Sequence, residues 1–119
     1  MTFAIHVIAE LYEVEVLTDL DHIETTLRTA AHDAGATVLG GHFHSFDGGG
    51  VTGVLLLAES HITIHTWPEL GYAALDVFMC GAMKPRLAAH RVASGLVAGR
   101  CDIREVARGP QSNQRAQPA

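Results

Sequence analysis

Cysteines, basic residues and long apolar runs are all scarce in this sequence. Its two cysteines, Cys80 and Cys101, form no CxxC pair, and no charged stretch of the kind that opens a secretory signal begins the chain, so we expect free thiols and a cytoplasmic location. Eight lysines and arginines against thirteen acidic residues give a net charge of -5, which disfavours nucleic-acid binding. The apolar runs are too short to span a bilayer. These shortages predict a soluble protein, and its acidic balance would tolerate a cationic small substrate.

The composition is typical of one globular domain. The 119 residues are 48% hydrophobic and 18% charged, which excludes a disordered chain. A compact fold of this length buries roughly two-thirds of its unfolded surface, enough for a core. We expect a single domain over 1–108 and a flexible tail over 109–119, where no apolar period is present.

Apolar periodicity predicts six strands and two helices. One helix should run over 20–34 from a Thr18 or Asp19 cap, and a second should begin near Pro85 and end at Gly99. The strands are expected at 3–12, 37–46, 51–58, 61–66, 72–80 and 101–107. The residues that frame the second helix are Leu87, Arg91, Ser94 and Val97. The predicted fold class is α+β, a two-layer sandwich of a mostly antiparallel sheet with two main helices packed on one face.

The segment 59–69 concentrates reactive side chains. It holds a serine hydroxyl, two imidazoles and two carboxylates within eleven residues. If 61–66 is a strand, alternation sends His61 and His65 to one face and the two isoleucines to the other. The pattern therefore predicts chemistry on one face and core on the other.

Two other interpretations of these side chains are weaker. A serine hydrolase with a nucleophile elbow needs the pattern Gly-x-Ser-x-Gly, and Ser60 has neither glycine. Four histidines have same-face strand spacing and could surround a metal such as zinc, but no carboxylate or thiol completes a recognised motif, so we expect no metal. These histidines are His42, His44, His61 and His65.

Four gapless segments together resemble one known family. They are 43–46 (Phe-His-Ser-Phe), 50–54 (Gly-Val-Thr-Gly-Val), 58–69 (Ala-Glu-Ser-His-Ile-Thr-Ile-His-Thr-Trp-Pro-Glu) and 71–81 (Gly-Tyr-Ala-Ala-Leu-Asp-Val-Phe-Met-Cys-Gly). This pattern resembles the prokaryotic S-adenosylmethionine decarboxylases, whose proenzymes cut themselves at a Glu-Ser bond and convert the serine into a pyruvoyl group. Weaker similarity extends over most of the chain up to about residue 108.

The resemblance implies a self-cleavage reaction at Glu59-Ser60. The Ser60 hydroxyl would attack the Glu59 carbonyl, and His65 would then remove the serine α-proton, a task suited to imidazole. Thr52 stands where the family has a serine that assists processing, and it keeps the hydroxyl. The products would be the chains 1–59 and 60–119, the second beginning with the pyruvoyl group as the enzyme's only cofactor.

The resemblance also implies how substrate is bound and turned over. The pyruvoyl ketone would hold the substrate amine and accept electrons as carbon dioxide leaves, and Cys80 would return a proton to the α-carbon. Phe46 and Trp67 would sandwich adenine while Glu69 contacts the ribose hydroxyls. The family further implies a homodimer of cleaved protomers, with the pocket near the subunit boundary, and a place in spermidine synthesis.

Departures from the family pattern leave the substrate open. Ala4 and Ile5 replace a usual glycine and basic residue, Val14 replaces a usual cysteine, and 47–49 replace a more apolar turn. Asp47 could pair with a guanidinium or ammonium, which would suit arginine or ornithine as the substrate, although Asp-Gly is also an ordinary turn. A catalytically idle or metal-binding relative is the remote alternative.

Overall fold

The computed structural model of the chain describes residues 3–110. Six strands, two α-helices and one short 3₁₀ helix follow one another in this part. Their bounds are β1 Ala4–Val14, α1 Leu20–Asp33, β2 Val38–Ser45, β3 Val51–Leu57, β4 Ser60–Trp67, the 3₁₀ helix Pro68–Leu70, β5 Tyr72–Cys80, α2 Pro85–Gly95 and β6 Ala98–Arg108.

The six strands form one sheet in the order β2-β3-β4-β5-β1-β6. Every adjacent pair is antiparallel. The two helices pack on one face and share a single apolar core with it. The predicted α+β sandwich is confirmed, with a sheet that is antiparallel throughout the described residues.

Helix α1 follows its predicted pattern. The Asp19 side chain caps its first turn by accepting a hydrogen bond of 3.1 Å from the backbone N–H of His22, one of the donors that the helix itself leaves without a partner. The predicted stripe faces the core, since Ile23 and Leu27 are fully buried.

Helix α2 ends earlier than predicted. Its last residue is Gly95, and Gly99 lies inside β6. Val97 has a φ of 57°, so a β-branched residue occupies the left-handed position at which a glycine usually ends a helix. The predicted framing is also wrong, because Arg91, Ser94 and Val97 are exposed and Leu87 is only partly buried. The helix residues that are buried are Pro85, Ala88, Ala89, Val92 and Ala93.

The sheet has one buried face and one open face. Along β4, Ile62 and Ile64 are fully buried against the helix layer, while His61 and His65 are half-buried on the other side, which confirms the predicted alternation. Within residues 3–110, no helix covers this other side, which we call the open face. It carries alternate strand residues, among them His6, Glu10, His61, Thr63, His65, Tyr72, Asp76 and Phe78.

Neither described helix is long and apolar enough to cross a membrane. Of the predicted tail over 109–119, residues 111–119 lie outside the part of the chain that the structure describes.

Candidate active site

The Glu59-Ser60 bond lies in a tight hairpin. Leu57 of β3 pairs with Ser60 of β4, so Ala58 and Glu59 alone form the turn between the strands. Glu59 has a φ of 60°. For a residue with a side chain, this left-handed conformation costs roughly 1–2 kcal/mol. The residue that supplies the carbonyl of the predicted cleavage bond is therefore held in a strained conformation.

The thiol of Cys80 contacts that same carbonyl. Its Sγ donates a hydrogen bond of 3.1 Å to the backbone oxygen of Glu59. The contact arises because Cys80 ends β5, which pairs with β4. A donor on this oxygen draws electron density from the carbonyl carbon and stabilises negative charge that develops on the oxygen.

The hydroxyl of Ser60 is buried beside the same bond. Ser60 is 6% exposed, and its Oγ donates to the Met83 sulfur at 3.8 Å. A thioether is a weak acceptor, so this contact holds the hydroxyl only loosely. An open cleft of about 450 Å³ lies next to the bond, and Glu59, Cys80 and Met83 are among the residues that line it.

A second cluster lies at the other end of β4. The Thr52 hydroxyl and His65 Nδ1 are 3.1 Å apart, a contact that orients the imidazole and leaves its Nε2 for other partners. Both side chains line a cleft of about 230 Å³. Among the described residues, those that line it are Phe46, Gly48, Gly50, Thr52, His65, Thr66, Trp67, Pro68 and Glu69.

This cleft gathers the residues predicted to hold a nucleoside. The Phe46 and Trp67 side chains are 54% and 38% exposed, so their rings are available to a ligand, and Glu69 follows Trp67 on the 3₁₀ helix. Asp47 lies in the same turn as Phe46, but its side chain is exposed and is not part of the lining. The structure thus brings Phe46, Trp67 and Glu69 together and leaves Asp47 outside.

A tyrosine supports the Trp67 ring from behind. The two rings stack with centroids 5.4 Å apart. The Tyr72 hydroxyl donates a hydrogen bond to Glu10, and this bond, together with burial, raises the pKa of Tyr72 from 10.0 to about 12. The phenol behind the Trp67 ring therefore keeps its proton, and its bond to Glu10, well into the alkaline range.

Along the chain's own β4 strand, the two clusters lie far apart. Ser60 and Trp67 are the first and last residues of β4, a separation of roughly 23 Å at the usual rise of a strand. His65 is five positions from Ser60, roughly 16 Å away, and its side chain lies on the opposite face. The His65 and Ser60 of one chain therefore do not meet.

Three contributors escaped the sequence analysis. Met83 contacts Ser60, and Tyr72 stacks under Trp67. Thr66, which lines the cleft, has a buried hydroxyl that accepts a hydrogen bond from the Val51 N–H. A signal was available for Thr66, because it continues the core face of Ile62 and Ile64 with a polar side chain. Among the described residues, no group of three or more histidines, cysteines and carboxylates is placed to hold a metal.

The fold and the site define a two-layer α+β protein with a hydroxyl and a thiol gathered at a strained hairpin. A profile described as S-adenosylmethionine decarboxylase matches residues 5–109. The chain belongs to this family, and the resemblance noted from its sequence is confirmed.

Individual relatives agree over most of their length. The S-adenosylmethionine decarboxylase proenzyme of Syntrophomonas wolfei is 49% identical over 107 residues, covering 87% of this chain and 85% of that protein. The proenzyme of Thermotoga petrophila is 45% identical over 107 residues, covering 87% and 82%. The crystal structure of the adenosylmethionine decarboxylase from Aquifex aeolicus matches with a TM-score of 0.84 and 36% identity, covering 93% of this chain and 94% of that one.

Proposed function

We propose that this protein is a self-processing, pyruvoyl-dependent decarboxylase of S-adenosylmethionine. The observation that carries the proposal is the hydrogen bond of 3.1 Å from the Cys80 thiol to the carbonyl oxygen of Glu59, beside the buried Ser60 hydroxyl. Its relatives are named as proenzymes, which accords with a chain that must be cut to become active. We further propose that the working protein is cytoplasmic and that its product enters spermidine synthesis.

Cleavage begins with the Ser60 hydroxyl. Its Oγ leaves the weak Met83 contact and attacks the carbonyl carbon of Glu59. The peptide C–N bond then breaks, the Ser60 nitrogen takes up the proton that the hydroxyl gives up, and the amide becomes an ester. As the bond forms, negative charge grows on the carbonyl oxygen, and the Cys80 thiol stabilises it. The left-handed turn at Glu59 raises the energy of the uncut state.

The next step needs a base that one protomer does not supply. The α-proton of Ser60 must leave so that the ester breaks into a Glu59 carboxylate and a dehydroalanine, which takes up water and loses ammonia to become the pyruvoyl group. His65 of the same chain lies roughly 16 Å away along β4. We therefore assign this proton to the His65 of a second protomer, oriented by its own Thr52.

A homodimer through the open face satisfies this requirement. A two-fold axis that crosses the strands would set the Ser60 end of one sheet against the Trp67 end of the other. The open face also carries side chains that favour burial, since Val54 and Leu56 are 40% and 55% exposed. Each active site would then combine Ser60 and Cys80 of one protomer with Thr52, His65 and the cleft of its partner.

Mixed dimers test the shared site directly. Ser60→Ala and Trp67→Ala should each be inactive alone. Co-expressed with different tags, they form mixed dimers in which one of the two shared sites is intact. Random pairing then restores about a quarter of wild-type turnover. Sites built within single protomers would give no recovery, because every site would carry one of the two substitutions.

The residues around Ser60 fit a pyruvoyl group. The Ser60 position is almost fully buried, which shields a ketone from water, and an open cleft beside it admits a substrate. A pyruvoyl group at the Ser60 position would supply a ketone for the substrate amine and an electron sink for the loss of carbon dioxide. The Cys80 thiol lies next to this position and returns the proton to the substrate α-carbon.

The cleft favours a nucleoside substrate. Phe46 and Trp67 offer exposed aromatic faces for adenine, and the Glu69 carboxylate can accept hydrogen bonds from ribose hydroxyls. Arginine or ornithine remains the second candidate, because the Asp47 carboxylate follows Phe46 directly. We place it second since Asp47 does not line the cleft.

Carbon dioxide release separates the two substrates. The processed protein is given S-adenosylmethionine, L-arginine and L-ornithine side by side, with Asp47→Asn as the matched variant. We expect release from S-adenosylmethionine alone, and little change in Asp47→Asn. Release from a basic amino acid that Asp47→Asn abolishes would assign the substrate to Asp47 instead.

A further inference from the structure

A buried hydroxyl ties together the segments that form the cleft. Thr66 is 6% exposed and lies on the core face of β4. Its Oγ1 accepts a hydrogen bond of 2.8 Å from the backbone N–H of Val51 and donates one of 2.7 Å to the backbone oxygen of Leu17. One side chain therefore satisfies two buried backbone groups from two other parts of the chain.

These partners adjoin the two walls of the cleft. Val51 follows the turn 46–50, which carries Phe46, and Thr66 itself precedes Trp67. The turn is closed by hydrogen bonds of 2.8 Å from the Phe46 N–H to the Gly50 oxygen and from the Gly49 N–H to the Phe46 oxygen. A displacement of Val51 from Thr66 would thus move the Phe46 wall as a unit.

Close backbone contact adds to this arrangement. A Cβ on Gly50 would lie 2.8 Å from the backbone oxygen of Thr66, a distance that side chains do not adopt. The absence of a side chain at Gly50 therefore lets the turn rest directly on β4.

The loop that holds Leu17 is itself anchored. The Glu15 and Val16 N–H groups donate to the oxygens of Val97 and Leu96, at 3.2 and 3.1 Å. Thr66 thus fastens the turn to a loop that is already fixed to the helix layer. Because the Thr66 hydroxyl is buried and hydrogen-bonded on both sides, it holds the two segments at a fixed distance. An exposed side chain, bonded to water, would not hold them.

We propose that Thr66 is a positioning residue that sets the spacing between the Phe46 and Trp67 rings, and so the affinity for the flat base of the substrate. The inference rests on the proposed function. The Thr66 side chain lies on the buried face of β4, so it does not touch the reacting atoms, which in the proposed dimer meet the open face. Loss of the Thr66 hydroxyl should therefore weaken substrate binding and leave the chemical step intact. Affinity falls because the substrate must then order a cleft that was previously held in place.

The test is a comparison of Thr66→Val with Thr66→Ser. Valine keeps the shape but leaves the Val51 N–H and the Leu17 oxygen without their partner, whereas serine keeps the hydroxyl. We expect the KM for S-adenosylmethionine to rise about tenfold in Thr66→Val, with kcat within about twofold of wild type. Thr66→Ser should restore the wild-type KM. Self-cleavage, followed by intact mass, should go to completion in all three proteins.

Two further variants keep the test decisive. Val92→Ala destabilises the core of α2, far from the cleft, and should lower the melting temperature without changing KM. Gly50→Ala forces the turn away from Thr66 while leaving the hydroxyl in place, and it should raise KM as Thr66→Val does. If Thr66→Val does not fold, Gly50→Ala decides.

An unchanged KM in a folded Thr66→Val, or a Thr66→Ser as impaired as Thr66→Val, would overturn the proposal. If Thr66→Val does not fold, an unchanged KM in Gly50→Ala would overturn the proposal. Failure of the proposed function looks different, because the wild-type protein itself would then stay uncut or release no carbon dioxide from S-adenosylmethionine.

Discussion

The Cys80 thiol and the Glu59 carbonyl oxygen form a hydrogen bond of 3.1 Å across the end of the β4–β5 pair. From the sequence, Cys80 is expected to act only in turnover, as a proton donor. Its place in the uncut chain gives it an earlier task as well, because it contacts the carbonyl that Ser60 must attack. The Cys80 thiol would then act in two reactions, first in the self-cleavage that forms the pyruvoyl group and later in the decarboxylation that uses it.

Cys80→Ala should therefore slow self-cleavage as well as abolish productive turnover. Loss of a hydrogen-bond donor to a developing oxyanion reduces rates by large factors, and a thiol is a weak donor, so we expect cleavage to slow roughly tenfold or more. The fraction cut is followed over time by intact mass after the chain is made.

Cys101→Ala is the matched control for that measurement. Burial raises the pKa of the Cys101 thiol, which keeps it protonated, and it lies on β6 away from the Glu59-Ser60 bond. Cleavage at the wild-type rate is expected in this control. If Cys80→Ala is also cut at the wild-type rate, then the Cys80 thiol does not assist self-cleavage and acts only in turnover.

The turn at Glu59 should store measurable strain. Glycine adopts a φ of 60° without steric cost, although it loses more entropy on folding than other residues. In the uncut Ser60→Ala background, Glu59→Gly should raise the free energy of unfolding by about 1 kcal/mol, measured by urea titration. Val97→Gly relieves the similar φ of 57°, and it should stabilise the chain by a similar amount without altering cleavage when Ser60 is present.

Loss of stability in both glycine variants would contradict this account of strain. A loss in Glu59→Gly alone would instead mean that its side chain contributes more than its backbone conformation costs.

Tyr72 should lose its proton at a higher pH than an ordinary tyrosine. The Glu10 hydrogen bond and burial raise its pKa to about 12, above the ordinary value near 10. A raised pKa in the folded state means that the stabilising bond is complete below pH 10 and is lost as the pH rises through 12. Tyrosinate absorbance should show a late step that Tyr72→Phe removes and that Glu10→Gln moves to lower pH. A late step that survives in Tyr72→Phe would refute the assignment.

The sequence predicted correctly those elements in which the spacing of apolar residues matches the face that is buried in the fold. Helix α1 and the alternation along β4 have strong periods, and each buries one face. The end of α2 could not be predicted, because Val97 takes a conformation that its side chain disfavours. Hydrogen bonds from the loop after β1 to the oxygens of Leu96 and Val97 hold it there, and no local pattern reports contacts so distant in sequence.

The candidate site shows the same limit. Residue types near Ser60 and near Trp67 were available from the motif, but their grouping was not. In the sequence, Ser60 and Trp67 lie in one short motif. In the structure they are the two ends of an extended strand, roughly 23 Å apart. The contact between Cys80 and Glu59 depends on the register of β4 with β5, and the role of Thr66 depends on two backbone partners far away in the sequence.

Intact mass of the purified wild-type protein, beside Ser60→Ala, tests the central claim most directly. The account predicts two wild-type fragments, 1–59 and 60–119, the second blocked at its start and lighter by one ammonia than the product of simple hydrolysis. Ser60→Ala should remain one chain. A wild-type protein that stays uncut, or whose second fragment begins with a free serine amine, would contradict the account.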